Sequence, residues 1–276
     1  MKIGIIGLGL IGGSFARAIK EMTSHQVYAC EISEGVLEEA AKDGAYDKVM
    51  TDENMKECDL ILLSLYPEKA VDFIEEKKDK IGKGAVVVDC CGVKRYVCDR
   101  MKKIAEEGSF VFVGGHPMAG TQSWGYAFSR SSMFKGASMI LTPDADTPGN
   151  IMESLEEFFL SVGFGTVKIT TDEEHDRIIA FTSQLPHVIS NAYVKSPEAH
   201  KQRGFSAGSY KDMTRISKLN AKMWSELFLE NGDFLAGEID ILIENLKKYS
   251  DAIKEKDKEK LEALLEEGAE SKRQAK

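Results

Sequence analysis

The first 170 residues alternate short, nearly unbroken apolar runs with stretches of helical spacing. Lys2–Ile6 reads as a strand, and the segment after it puts Ile11, Phe15, Ala18 and Ile19 on one side of a helix. Gln26–Cys30 predicts a second strand, followed by a helix starting at Ser33, a residue able to cap its amino end. Leu60–Leu65 and Ala85–Asp89 are continuous hydrophobic runs, as strands become when helices cover both faces of a parallel sheet. Phe110–Val113 and Ser138–Leu141 predict two further strands, and Ile151–Val162 with Thr166–Thr170 a last helix–strand unit. Alternation at this spacing implies a parallel sheet joined by right-handed crossovers.

From Asp172 the texture changes and no strand pattern remains. Asp172–Tyr193 has helical periodicity with a break near Pro186. Met223–Glu244 places Leu227, Phe228, Phe234, Leu235, Ile239 and Leu242 at helical spacing. Tyr249–Lys276 is helical and densely charged, and its stripe of Leu261, Leu264 and Leu265 docks either on the body or on a partner subunit. The expected architecture is an α/β domain over residues 1–170 followed by an all-helical domain over residues 171–276.

Bulk properties narrow the function classes. A chain of 276 residues favours two domains, and 43% hydrophobic content is that of a folded protein. A net charge of −9 argues against a nucleic-acid partner, which needs a dense positive field, but does not preclude an anionic substrate held by a local arginine. The apolar amino terminus is broken by glycines, Arg17 and Lys20, and no other stretch is suited to a bilayer, so no membrane association is expected. The five cysteines form an odd set without metal-ligand spacing. Reduced thiols in a cytoplasmic protein, with no metal, are the reading they support.

Gly7-Leu8-Gly9-Leu10-Ile11-Gly12 follows the first strand and opens the first helix. In that context G-x-G-x-x-G is a dinucleotide fingerprint: Gly7 for the turn, Gly9 for close approach of the pyrophosphate, Gly12 for helix–strand packing. The helix amino terminus offers free N–H groups and partial positive charge to phosphates. Glu31, at the end of the second strand, is placed to accept hydrogen bonds from ribose hydroxyls. It would repel a 2′-phosphate, and Ile32, Ser33 and Glu34 bring no arginine, so NAD is expected rather than NADP. Ser64-Leu65-Tyr66-Pro67 closes the third apolar run, where it would wall the cofactor crevice or serve as a plain strand-to-helix turn. The fold class is therefore a Rossmann-type, doubly wound parallel sheet with a helical carboxy-terminal domain.

Candidate chemistry follows the fifth run, in Gly114-Gly115-His116-Pro117-Met118-Ala119-Gly120-Thr121. A histidine among glycines at a strand's carboxyl end could take a hydroxyl proton near neutral pH, or simply hydrogen-bond within its turn. His187, in Ser183-Gln184-Leu185-Pro186-His187, is a second candidate, with core packing as the competing reading. Arg215, in Tyr210-Lys211-Asp212-Met213-Thr214-Arg215-Ile216, could grip a carboxylate through two parallel hydrogen bonds or pair with a surface acid. Trp224 could wall a ring-sized pocket or fill the core. His25, His175 and His200 stand in polar surroundings and receive no role.

These four segments in order, GLGLIGGS, GGHPMAGT, SQLPH and YKDMTRIS with Trp224 after it, resemble the prephenate/arogenate dehydrogenases of tyrosine biosynthesis over essentially the whole chain. The resemblance implies that His116 is the catalytic histidine, bonded to the substrate's ring 4-hydroxyl, and that Arg215 binds a substrate carboxylate. It implies that His187, Gly208 and Trp224 line the same pocket, that Asp212 lies near its entrance, and that the helical domain forms a homodimer. The activity implied is oxidative decarboxylation of prephenate, or of arogenate. The chain departs from the family's D-x-G-S-x-K, reading Asp89-Cys90-Cys91-Gly92-Val93-Lys94, so a hydrogen bond that orients the histidine is expected to be lost or taken over by water. Gln122 also replaces a frequent glutamate. A β-hydroxyacid dehydrogenase with the same layout would want a catalytic lysine in the helical domain, and Lys195 lies in no motif for it. A dinucleotide-binding regulatory protein is the non-enzymatic alternative. The chain length leaves no room for an added mutase or complete regulatory domain, so any product feedback is expected to act at the active site.

Overall fold

The computed structural model describes residues 1–275; Lys276, the end of the predicted tail helix and helical domain, lies outside the described residues. The apolar runs form an eight-stranded sheet: β1 (Lys2–Ile6), β2 (Gln26–Cys30), β3 (Lys48–Val49), β4 (Leu60–Leu63), β5 (Val86–Asp89), β6 (Val111–Pro117), β7 (Ser138–Pro143) and β8 (Thr166–Ile169). Their order across the sheet is β3-β2-β1-β4-β5-β6-β7-β8. The chain winds outward from β1 in one direction through β2, then returns to the other side at β4, so the switch point lies between β1 and β4. The two-residue β3 has no hydrophobic run of its own, which is why the pattern misses it. The expected all-parallel sheet needs one correction: β7 runs antiparallel to β6 and parallel to β8. Between β6 and β7 lie only two single 3-10 turns, Tyr126–Phe128 and Ser131–Phe134, and no α-helix to form the crossover that a parallel pair uses.

Helices α1 (Leu10–Met22), α2 (Glu34–Lys42), α3 (Pro67–Lys77), α4 (Arg95–Gly108) and α5 (Gly149–Ser161) cover the sheet. One buried cluster runs from Ile3 and Phe15 to Phe134, Phe159 and Phe164, the other from Ile6 and Tyr28 to Ile74, Val97 and Met101. Inward-facing side chains of one central layer thus serve both cores.

Beyond β8 the chain is helical. α6 (Asp172–Ile179) and α7 (Leu185–Tyr193) are joined by a π-helical segment, Ala180–Gln184, so the expected break near Pro186 is a widened turn within a nearly continuous helix. Proline has no N–H to give the preceding turn, and the wider turn absorbs that loss. The predicted helix Met223–Glu244 divides instead into α9 (Ala221–Glu230) and α10 (Gly232–Glu255), with α8 (Gly208–Thr214) before them. Asn231 lies at the division and is wholly buried. Its amide donates to Asp176 O at 2.9 Å and Gln184 Oε1 at 2.8 Å, which fixes the corner. After Lys256, whose φ is 56°, α11 (Lys258–Gln274) folds back on α10, the Tyr249 hydroxyl donating to Leu264 O at 3.0 Å.

Candidate active site

The glycine turn occupies the switch point. Gly7 has φ +86°, a conformation that disfavours side chains, and a Cβ on Gly12 would lie 1.9 Å from Gly7 O. A Cβ on Gly9 would meet nothing within 4 Å, so this backbone faces open space where a phosphate could approach. α1 begins there with no side-chain cap and no acid in its first turn, leaving its first amides free for an anion. Glu31 closes one flank: Oε2 accepts from Leu8 N at 2.8 Å and Oε1 from Ser33 N at 3.0 Å. These bonds hold the carboxylate at the turn with lone pairs to spare. Leu8 presents only its backbone, since its side chain is buried in the core, whereas Leu10 and Ile11 are half-buried. On the other flank Ser64, Leu65 and Tyr66 form the turn from β4 into α3 rather than the strand's end. The buried Ser64 Oγ finds no hydrogen-bond partner among the described residues.

His116 is not in a bend. β6 runs on through Gly114, Gly115, His116 and Pro117, with His116 opposite Ile140 on antiparallel β7. Its parallel pairing with β5 matches Val88 to Val113, and β5 ends one residue later, at Asp89. His116 therefore projects past the carboxyl edge on a strand overhang that β7 splints. Gly115 is required there because a Cβ would lie 2.4 Å from Asp89 O and 2.6 Å from a Val88 methyl. A buried polar knot fixes the overhang. Gly115 N donates to Asp89 Oδ1 at 3.0 Å, Lys94 Nζ donates to Gly115 O at 2.6 Å, and Lys94 forms an ion pair with Asp89, both side chains fully buried. Burial works against the Lys94 charge, but the Asp89 carboxylate outweighs it and raises the lysine's pKa. Removing one partner would leave a buried charge uncompensated, so the pair serves placement more than stability.

The structure gives His175 a place that its sequence surroundings concealed. His175 Nε2 lies 2.8 Å from His116 Nδ1, and His175 Nδ1 lies 2.8 Å from Asp176 Oδ1. The orienting bond to His116, expected to be missing at Gly92 or supplied by water, comes from α6. A Cβ at Gly92 would touch only the end of Leu227, at 3.4 Å. Burial, then the neighbouring His175 and Lys94, push the His116 pKa well below the usual histidine value. Asp176 is itself fully buried and accepts from Lys94 N at 2.7 Å, Arg95 N at 2.9 Å and Arg95 Nε at 3.3 Å. Burial raises its pKa, but these donors and His175 lower it further, below the ordinary aspartate value. Arg95 also forks onto Asp233, so Asp176 and Arg95 bind the sheet domain to the helical one. The detectable signal was helical phase: His175 precedes buried Ile179 by four residues and shares its inward face.

His187, Arg215 and Trp224 come together on the helical domain. The His187 ring is 4.1 Å from Trp224, and His187 Nδ1 donates to Ser183 O at 2.7 Å across the π-helical turn, leaving Nε2 as an acceptor. Burial lowers the His187 pKa, and the Arg215 charge lowers it further. Arginines 17, 95, 177 and 273 have carboxylate partners, whereas none pairs with exposed Arg215 among the described residues. Gln122, six residues beyond His116, donates from Nε2 to Arg215 O at 2.5 Å, joining the β6 loop to the end of α8. Asp212 is exposed on α8, and Gly208 is that helix's first residue, with open space about its Cα.

A dinucleotide-type turn and an imidazole overhang on one sheet, the latter backed by a helical lobe, are the layout of a two-domain dehydrogenase. The chain matches the nucleotide-binding domain model of prephenate dehydrogenase over residues 15–168 and the dimerization domain model over residues 171–267. It is 31% identical to a cyclohexadienyl dehydrogenase of Zymomonas mobilis over 265 residues, 92% of this chain and 89% of that one. A prephenate dehydrogenase of Bacillus subtilis is 28% identical over 93% of this chain and 71% of its own. Among solved structures, prephenate dehydrogenase from A. aeolicus in complex with hydroxyphenyl propionate and NAD+ superposes with TM-score 0.88 at 26% identity, covering 100% of this chain and 98% of that one. The chain belongs to the prephenate dehydrogenase family and is an oxidoreductase. No helix among the described residues is long and apolar enough to cross a membrane.

Proposed function

We propose that the protein oxidises prephenate with NAD+, releasing CO2 and 4-hydroxyphenylpyruvate, with residues 1–170 holding the dinucleotide and residues 171–276 the substrate and dimer contacts. The observation that carries this reading is the His116 imidazole, held past the carboxyl edge of the sheet whose β1 leads into the glycine turn, and kept neutral by burial. Gly7, Leu8, Gly9, Leu10, Ile11 and Gly12 would cradle the pyrophosphate, Glu31 the ribose hydroxyls, and Ser64, Leu65 and Tyr66 would wall the site. The open space at Gly9 and the unpartnered Ser64 Oγ fit such an occupant. NAD+, when bound, supplies the hydride acceptor. His116 takes the proton of the ring 4-hydroxyl, and Arg215 anchors a carboxylate in a charge-assisted fork, which its lack of an internal partner leaves it free to do. His187 and Trp224 flank the ring, with Gly208 and Asp212 toward the entrance. Loss of the ring carboxylate restores aromaticity and draws the reaction forward. Arogenate is the second reading, favoured by the Zymomonas relative's broader name. Five unpaired cysteines fit a reducing, cytoplasmic setting.

The test is NADH formation from prephenate and from arogenate, each with wild type and His116→Asn. Turnover with one substrate, lowered about 1,000-fold in the variant at unchanged NAD+ affinity, is expected. Silence with both substrates would leave the regulatory reading standing.

A further inference from the structure

We infer that His175 and Asp176, from the helical domain, set the tautomer of His116 and thereby make Nε2 its basic nitrogen. The inference rests on the reading of His116 as the base and adds the device that selects which nitrogen acts. A carboxylate only accepts, so the 2.8 Å contact to Asp176 Oδ1 requires the proton of His175 on Nδ1. The remaining contacts of Asp176, to Lys94 N, Arg95 N and Arg95 Nε, are all from donors, so nothing there competes for another role. Burial lowers the pKa of His175, with the Asp176 bond opposing, so the ring is neutral near pH 7 and its Nε2 is a bare acceptor. His116 Nδ1, 2.8 Å away, must therefore be the N–H, and the lone pair of His116 is left on Nε2.

The consequence for the reaction is directional. As the C4–H electron pair leaves as hydride, the substrate O–H bond breaks and its proton forms a new N–H bond at His116 Nε2. The imidazolium so formed donates from Nδ1 to His175, behind which stands the Asp176 charge. The other charged groups facing this pair are Lys94, from the start of α4, and Asp89, from β5. They oppose one another and are paired together, so neither substitutes for the histidine. His175 touches neither glycine turn nor substrate in this arrangement; it is a positioning residue, supplied to the base of one domain by the other.

Ring nitrogen NMR of the 15N-histidine-labelled full chain, which needs no substrate, reads the tautomer directly. The expected result is a neutral His116 protonated on Nδ1 in wild type, and a shift toward the Nε2-protonated form in His175→Leu. In turnover, His175→Leu is expected to lose about 100-fold in kcat while the KM for NAD+ stays within twofold. His175→Gln, whose amide oxygen can accept from His116 Nδ1, should recover at least tenfold of that loss. Wild-type His116 protonated on Nε2 would overturn the inference, as would equal losses in the Leu and Gln variants. Should His175→Leu fail to bind NAD+, the wild-type spectrum and the Gln variant still decide. Failure of both candidate substrates, with the Nδ1 tautomer observed, would count against the proposed reaction and leave the tautomer assignment intact.

Discussion

The two domains bury their apolar residues to very different extents. The sheet domain has a continuous core on each face, with Phe15, Phe134 and Phe159 fully covered on one and Tyr28, Ile61 and Ile74 on the other. In the helical domain the buried cluster is Ala180, Leu185 and Leu235, while Ile243, Leu246 and Ile253, spaced along α10, are 56%, 58% and 61% exposed. A sheet covered on both faces is self-sufficient. A thin layer of helices is not, and its attachment here is polar: Asp176 and Asp233 hold Arg95, and Glu226 Oε1 accepts from Glu68 N at 2.9 Å. His116 thus stands on the part with the deeper core, and His175, Asp176 and Arg215 on the part that needs support.

If the sheet domain is rigid, Gly12→Ala should have the largest effect. Its new methyl cannot avoid the Gly7 carbonyl, and loss of about 3 kcal/mol of stability is expected together with loss of NAD+ binding, read by calorimetry. Wild-type melting would show that the turn yields more readily than the packing suggests. If the helical domain is completed by a second copy, Leu246→Lys with Ile253→Lys should give monomers in sedimentation and an early, separate melting step. The sheet domain's transition should stay in place, whereas a dimer that survives would put the interface elsewhere. A smaller effect is expected for Arg215→Ala: a 10- to 100-fold rise in KM for prephenate, from about 1.5–3 kcal/mol of charge-assisted bonding, with the KM for NAD+ unchanged. An unchanged prephenate KM removes the clamp.

The smallest effect concerns Glu230, at the end of α9. Burial and then the nearby Glu226 carboxylate raise its pKa to about 8, and its buried Oε2 has no partner among the described residues. The folded protein then holds a proton that the unfolded chain has released between about pH 4.5 and 8, so this group's contribution to stability falls as pH rises through that window. Glu230→Gln should flatten that fall, raising the melting temperature slightly at pH 8 and leaving it unaltered at pH 4. Equal shifts at both values would mean that the carboxyl is ionised throughout.

The amino-acid order by itself determined most of the sheet domain and the location of its nucleotide turn. Period-two and period-3.6 patterns report local burial, and glycine spacing reports a backbone requirement, so both survive without neighbours in view. His116, His187 and Arg215 were legible as candidates for the same reason, within motifs of contiguous residues, with Trp224 singled out beyond the last of them. Only the tertiary structure decided that β7 turns back against β6, that His116 lies on a splinted strand rather than in a bend, and that the Met223–Glu244 pattern breaks at a buried asparagine. It alone brought His175 and Asp176 from 59 and 60 positions away to the back of His116. In the sequence those two stand among charged residues at a helix start and look solvated. Their hydrogen bonds depend on which helix face turns inward and which strand it meets, and distances between remote segments are properties of the packed chain.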